Sequence, residues 1–165
     1  MGNRRFFTIL ALIFTLFLID VSFAQLNQQV DSATKKMAIK IRLKSRLIRI
    51  KKPVLYVGFH NSNPDLKPLE EAVESEFLNK LKDIMVLDSL EVSANMESYD
   101  HYPLSSLNIN SSELSKIIPE PNKYSYIIHG IIEKSPAGDE IILRSRLYNL
   151  PYDNSLVETS ATIQN

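Results

Sequence analysis

The chain contains no cysteine and only four glycines in 165 residues. Without cysteine a disulfide scaffold is excluded, so an exported domain of this sequence depends on its apolar core alone. Lipid attachment through a cysteine at a bacterial lipoprotein cleavage point is excluded for the same reason. The few glycines form neither a G-x-G-x-x-G nor a Walker pattern, so no glycine-rich phosphate cradle is present. No serine, histidine and aspartate fall in a triad arrangement around an elbow glycine. The sequence therefore defines a fold more clearly than a chemistry.

Charge is missing in total and not in distribution. Nineteen basic and nineteen acidic residues cancel, but no acid stands between Ser32 and Pro64, a stretch that carries Lys35, Lys36, Lys40, Arg42, Lys44, Arg46, Arg49, Lys51 and Lys52. From Asp65 onward acids predominate, so the chain is dipolar.

At the amino terminus, Arg4 and Arg5 precede the apolar run Phe6–Ile19, and Ser22-Phe23-Ala24 offers small residues at a cleavage point. This is the pattern of a signal peptide spanning residues 1–24, with an uncleaved anchor as the alternative. It predicts an exported protein of the bacterial periplasm or cell envelope, whose single folded unit covers residues 25–165. Residues 25–52 form its basic lead-in. There Leu26, Val30, Ala33, Met37, Ile41 and Ile48 follow a helical repeat, while Ile39, Ile41 and Leu43 also alternate as in a strand. Helix to about Ser45 is the expectation.

The α/β domain, residues 53–165, begins with Val54-Leu55-Tyr56-Val57, a continuous apolar run of the kind buried on both faces of a sheet. Gly58 and Asn61–Asp65 bring turn chemistry that would end it. Leu66, Leu69, Val73, Phe77, Leu81 and Ile84 then recur at helical spacing, with Pro68 in the first turn. A second strand is expected near Val86-Leu87, which completes a βαβ unit. Ser89–Ser98 and Glu113–Ile118 read as short helices within a polar middle segment. Tyr124–Glu133, Glu140–Asn149 and Ser155–Gln164 read as three strands joined by turns. The expected fold is α/β, a mixed sheet of about five strands in which a βαβ unit precedes an antiparallel meander, with helices packed on it.

Two short motifs carry a resemblance. The first strand ends in V-x-F-x-N (Val57, Phe59, Asn61), and a later strand carries Y-x-x-x-G-x-I (Tyr126, Gly130, Ile132) before Arg146-Leu147-Tyr148-Asn149. In this the chain resembles the amino-terminal-domain family of TolB, and it is similar to the CsgG, FlgO and LpoB envelope domains. The resemblance covers roughly residues 27–163. It implies a Rossmann-like α/β sandwich that acts as a non-enzymatic interaction module of the cell envelope, with no catalytic residue and no cofactor to carry over. Unidentified envelope proteins would be its partners.

Residues that could bind something fall in two places. His60, Asn61, Ser62, Asn63 and Asp65 follow the first strand, where open α/β sheets receive small ligands. Lys40, Arg42, Lys44, Arg46 and Arg49 could meet an anionic membrane surface or a protein partner, dock on the acidic part of their own domain, or stay solvated. Nucleic acid does not fit, because no aromatic residues interleave these bases. No metal ligands and no catalytic set are expected. His129 reads as a satisfied core or sheet histidine, His101 as a loop residue, and Glu70, Glu71, Glu74 and Glu76 as a solvated helix face.

Overall fold

The computed structural model describes residues 2–48, 50, 53–61, 63–84, 90–92, 123–149 and 154–164. Helix α1 (Gly2–Leu47) leads into strand β1 (Val54–Asn61). A 3-10 turn (Pro64–Leu66) and helix α2 (Lys67–Ile84) follow, then β2 (Leu90–Val92), β3 (Tyr126–Lys134), β4 (Glu140–Asn149) and β5 (Asn154–Gln164). The five strands form one sheet in the order β2-β1-β3-β4-β5. β1 runs parallel to both neighbours, whereas β3, β4 and β5 are antiparallel. The mixed sheet with a βαβ unit and a meander is the expected architecture.

Both helices lie on one face. Alternate strand residues project there (Val54, Tyr56, Ile128, Ile132, Leu143, Leu147 and Ile163), as the two-residue repeat of a strand requires. They meet Val30, Met37 and Ile41 of α1 and Val73, Phe77 and Leu81 of α2. Phe77 packs between two rings of β1, its centroid 6.0 Å from Tyr56 and 5.3 Å from Phe59, the latter edge-on. Lys80 of α2 joins the helices through an ion pair with Asp31, 2.6 Å.

The lead-in is helical throughout its described length up to Leu47, so the alternating reading of Ile39–Leu43 fails. Val30, Ala33, Met37, Ala38 and Ile41 are buried at three- and four-residue spacing while Ile39 and Leu43 stay exposed, so the helical repeat decides. No helix among the described residues is long and apolar enough to cross a membrane.

Two sequence expectations are corrected. Gly58 does not end the first strand. It takes a φ of 90°, the pairing with β3 shifts between Tyr56 and Gly58, and the strand resumes to Asn61. A glycine accepts this left-handed backbone without a Cβ clash, and a bulge of this kind re-aims the residues after it. Leu90–Val92 is a strand paired with Val54–Tyr56, not the start of a helix. Ladder hydrogen bonds to β1 override a weak local helical spacing. The strand expected at Val86-Leu87 and the helix at Glu113–Ile118 lie outside the described residues.

Candidate functional site

The carboxyl end of β1 is where the sequence places its ligand loop, and the fold brings it against the first turns of α2. Asn61 donates its side-chain amide to Glu70, and its Oδ1 accepts the Asn63 N–H at 2.9 Å. Asn63 in turn caps the 3-10 turn, its Oδ1 accepting the Asp65 N–H at 3.0 Å. These two amides thus fold the loop onto its own backbone. His60 is half-buried and Asp65 exposed. Ser62 and Arg49 lie outside the described residues, as does His101.

The acids of α2 are not a uniformly solvated face. Glu71 is exposed, and Glu76 pairs with Lys80 at 2.9 Å. Glu70 and Glu74, one turn apart, face β1 instead. Glu70 is buried, takes the Asn61 amide and pairs with Lys67 at 3.5 Å. Glu74 accepts the Phe59 N–H at 2.6 Å. Among the described residues β2 pairs with β1 as far as Tyr56, and beyond it the Glu74 carboxylate satisfies a β1 N–H. The i, i+4 spacing of these acids is visible in the sequence. The bulge that turns Phe59 and Asn61 toward them is not.

Burial pushes the Glu74 carboxyl up to about 7, with the Phe59 N–H opposing that rise and Glu70 adding to it. Tyr56 lies beneath, fully buried, its hydroxyl without a hydrogen-bond partner among the described residues. Burial, then the charges of Glu74 and Glu70, push its phenol well up. This corner can hold a proton near neutral pH. Its carboxylate oxygens already receive a strand N–H and a side-chain amide, so its evident work is to brace the end of β1.

Two grooves flank α1. One, of about 670 Å³, runs between α1 and the start of α2, with Leu26, Val30, Leu66 and Leu69 as apolar walls. Asp65 of the predicted loop stands on its rim. The other, of about 580 Å³, lies between α1 and the outer edge of β5 and includes Gln28, Ser32, Lys36, Ser160 and Thr162. Among the described residues no cluster of three histidine or acidic side chains could hold a metal.

His129 is buried on the sheet face away from the helices. Both ring nitrogens lack a hydrogen-bond partner among the described residues, which the sequence reading of a satisfied histidine did not foresee. Burial, with Arg146 directly across on β4, lowers its pKa to about 4. Arg146 itself reaches Glu158 of β5 at 2.8 Å.

Of the basic residues singled out from sequence, Lys40, Arg42, Lys44 and Arg46 lie on α1. Lys40 and Arg46 are exposed, and Arg42 and Lys44 are half-buried. None of the ion pairs seen among the described residues involves them. The sequence did not signal that three large apolar residues, Ile39, Leu43 and Leu47, stand exposed between them.

The fold and this corner define an α/β domain with a mixed five-stranded sheet covered by two helices on one face. No family model and no curated protein sequence matches the chain. Solved structures similar to it include the LpoB carboxy-terminal domain of Escherichia coli, at 12% identity and a TM-score of 0.49, covering 82% of this chain and 98% of that one. The same domain from Salmonella enterica aligns at 14% identity and a TM-score of 0.47 with the same coverage. TolB from Acinetobacter baumannii aligns at 17% identity and a TM-score of 0.36, over 70% of this chain and 24% of that one.

Proposed function

We propose that this chain is an exported, non-enzymatic protein of the bacterial cell envelope that acts by binding another protein, within an assembly, secretion or transport system. The targeting pattern of residues 1–24 and the motif resemblance support the compartment. The observation that carries the binding role is the outer edge of β5. Glu140 exchanges hydrogen bonds with Ser135 on the β3 side, donating to its Oγ and accepting its N–H. Its partner Gln164 therefore points its own backbone outward, and the Gln164 N–H meets Gln29 of α1 at 2.8 Å. By alternation, the N–H and C=O groups of Glu158, Ser160 and Thr162 also point away from β4, toward an edge that no strand among the described residues pairs with.

Soluble proteins protect such edges with lysine, proline or very short strands. β5 is eleven residues long and contains neither lysine nor proline, with Glu158 as its one charge. The adjacent groove under Gln28, Ser32 and Lys36 has room for side chains of an added strand. The partner is then an extended segment that augments the sheet through its backbone.

Cross-linked capture of the tagged full-length protein from its native envelope, read by mass spectrometry, tests this. One dominant protein should be recovered, and Ser160→Pro, which removes an outward N–H while sparing the β4 ladder, should lose it. Recovery undiminished by Ser160→Pro would place the interface elsewhere, and recovery of no protein would overturn the reading.

A further inference from the structure

The outer face of α1 beyond Lys35 carries a pattern that the edge of β5 does not explain. Ile39 is 39%, Leu43 58% and Leu47 79% exposed, the exposed large apolar side chains among the described residues. At about 100° per residue, Ile39 and Leu47 lie about 40° to either side of Leu43, so the three form one stripe along the helix. Lys40 and Lys44 border one side of it, and Lys35, Arg42 and Arg46 the other. The opposite face of the same turns, Met37, Ala38 and Ile41, is buried in the domain core. No acid occurs in α1 beyond Asp31, whose carboxylate pairs with Lys80.

We propose that this face seats on an anionic lipid surface. An interfacial helix has an apolar stripe with lysine and arginine on both flanks, and it lies flat. The packing of α1 on the sheet already holds it flat, with the stripe outward. The long basic side chains flanking the stripe can keep their charges at headgroup level while Ile39, Leu43 and Leu47 enter the acyl boundary. A second copy is a poor occupant, because two such faces would oppose five bases with five. An acid-rich protein would satisfy the bases and leave the exposed leucines in water. The surface is separate from the β5 edge, so either reading can fail without the other.

Sedimentation of the full-length protein with vesicles tests the proposal, using phosphatidylglycerol–phosphatidylethanolamine vesicles against phosphatidylcholine. The apolar run at Phe6–Ile19 would contribute on both lipids, so the difference between them reads this face. Binding to the anionic vesicles should be at least about tenfold stronger and fall steeply with salt. Two variants at exposed or half-exposed positions separate the components: Lys40, Arg42, Lys44 and Arg46 to Gln, and Ile39, Leu43 and Leu47 to Gln. Each should abolish the preference while circular dichroism stays unchanged. Equal binding to both lipids, or a preference that survives either variant, would overturn the proposal.

Discussion

The ring of Phe59 lies directly on Gly130. The two are register partners on β1 and β3, and a Cβ built on Gly130 would stand 2.5 Å from Phe59 Cδ1 and 2.8 Å from the Arg144 carbonyl oxygen. Each belongs to one of the two motifs read from the sequence, V-x-F-x-N and Y-x-x-x-G-x-I. The motifs are thus two halves of one contact: a bulge at Gly58 delivers the aromatic ring, and a glycine on the next strand makes room for it. Asn61 of the first motif holds α2 through Glu70.

Gly130→Ala should destabilise the protein by about 1–3 kcal/mol, the usual cost of overpacking a close contact. The neighbours are a ring wedged against Phe77 and a backbone carbonyl, neither of which can yield cheaply. Urea unfolding measures this, and an unchanged midpoint would show that Phe59 moves freely.

Phe77→Ala should cost about 3–5 kcal/mol, because it empties the space between Tyr56 and Phe59 in a fully buried core. Its denaturant midpoint should drop well below that of an exposed control such as Glu71→Ala.

Glu74 gives stability a pH dependence of unusual sign. Its carboxyl titrates near 7 in the folded chain and near 4.5 when unfolded. Between those values the folded state holds the extra proton, so the contribution of Glu74 to stability falls as pH rises from 4.5 to 7. Glu74→Gln keeps an acceptor for the Phe59 N–H and removes the charge. Relative to the native chain it should gain stability from pH 5 to pH 8, as followed by thermal unfolding. A constant difference across that range would refute the linkage.

His129 acts in the opposite direction. Its folded pKa of about 4 lies below the ordinary 6.5, so the unfolded chain takes the proton first as pH falls. Stability from this group is fully present above 6.5 and is lost as pH falls to about 4, by on the order of 3 kcal/mol. The slopes of His129 and Glu74 oppose each other between 4.5 and 6.5. His129→Leu should therefore expose the Glu74 slope, with stability highest at the acid end of that window. If the variant still loses stability there on acidification, a different group is responsible.

Asn63→Ala should remove the cap on the Pro64–Leu66 turn and cost about 0.5–2 kcal/mol. Asn63→Asp should retain most of that stability, which distinguishes the cap from general packing in a thermal melt.

The sequence by itself determined the elements wherever apolar periodicity was strong and long. Glu140–Asn149 is a strand with the expected bounds, α2 carries its apolar face at Val73, Phe77 and Leu81, and the meander follows from its turns. Local periodicity suffices there because one repeat fits one buried face. The tertiary structure alone decided the rest. Leu90–Val92 became a strand because β1 offered it a ladder, and β1 continued past Gly58 because a bulge and the Glu74 carboxylate support it. Glu70 and Glu74 appear as ordinary helix-surface acids until β1 is set against them. Ile39, Leu43 and Leu47 are left exposed because the sheet claims the other side of α1. In each case the deciding energy, a long-range hydrogen bond or the burial of one face over another, comes from residues far away in the chain.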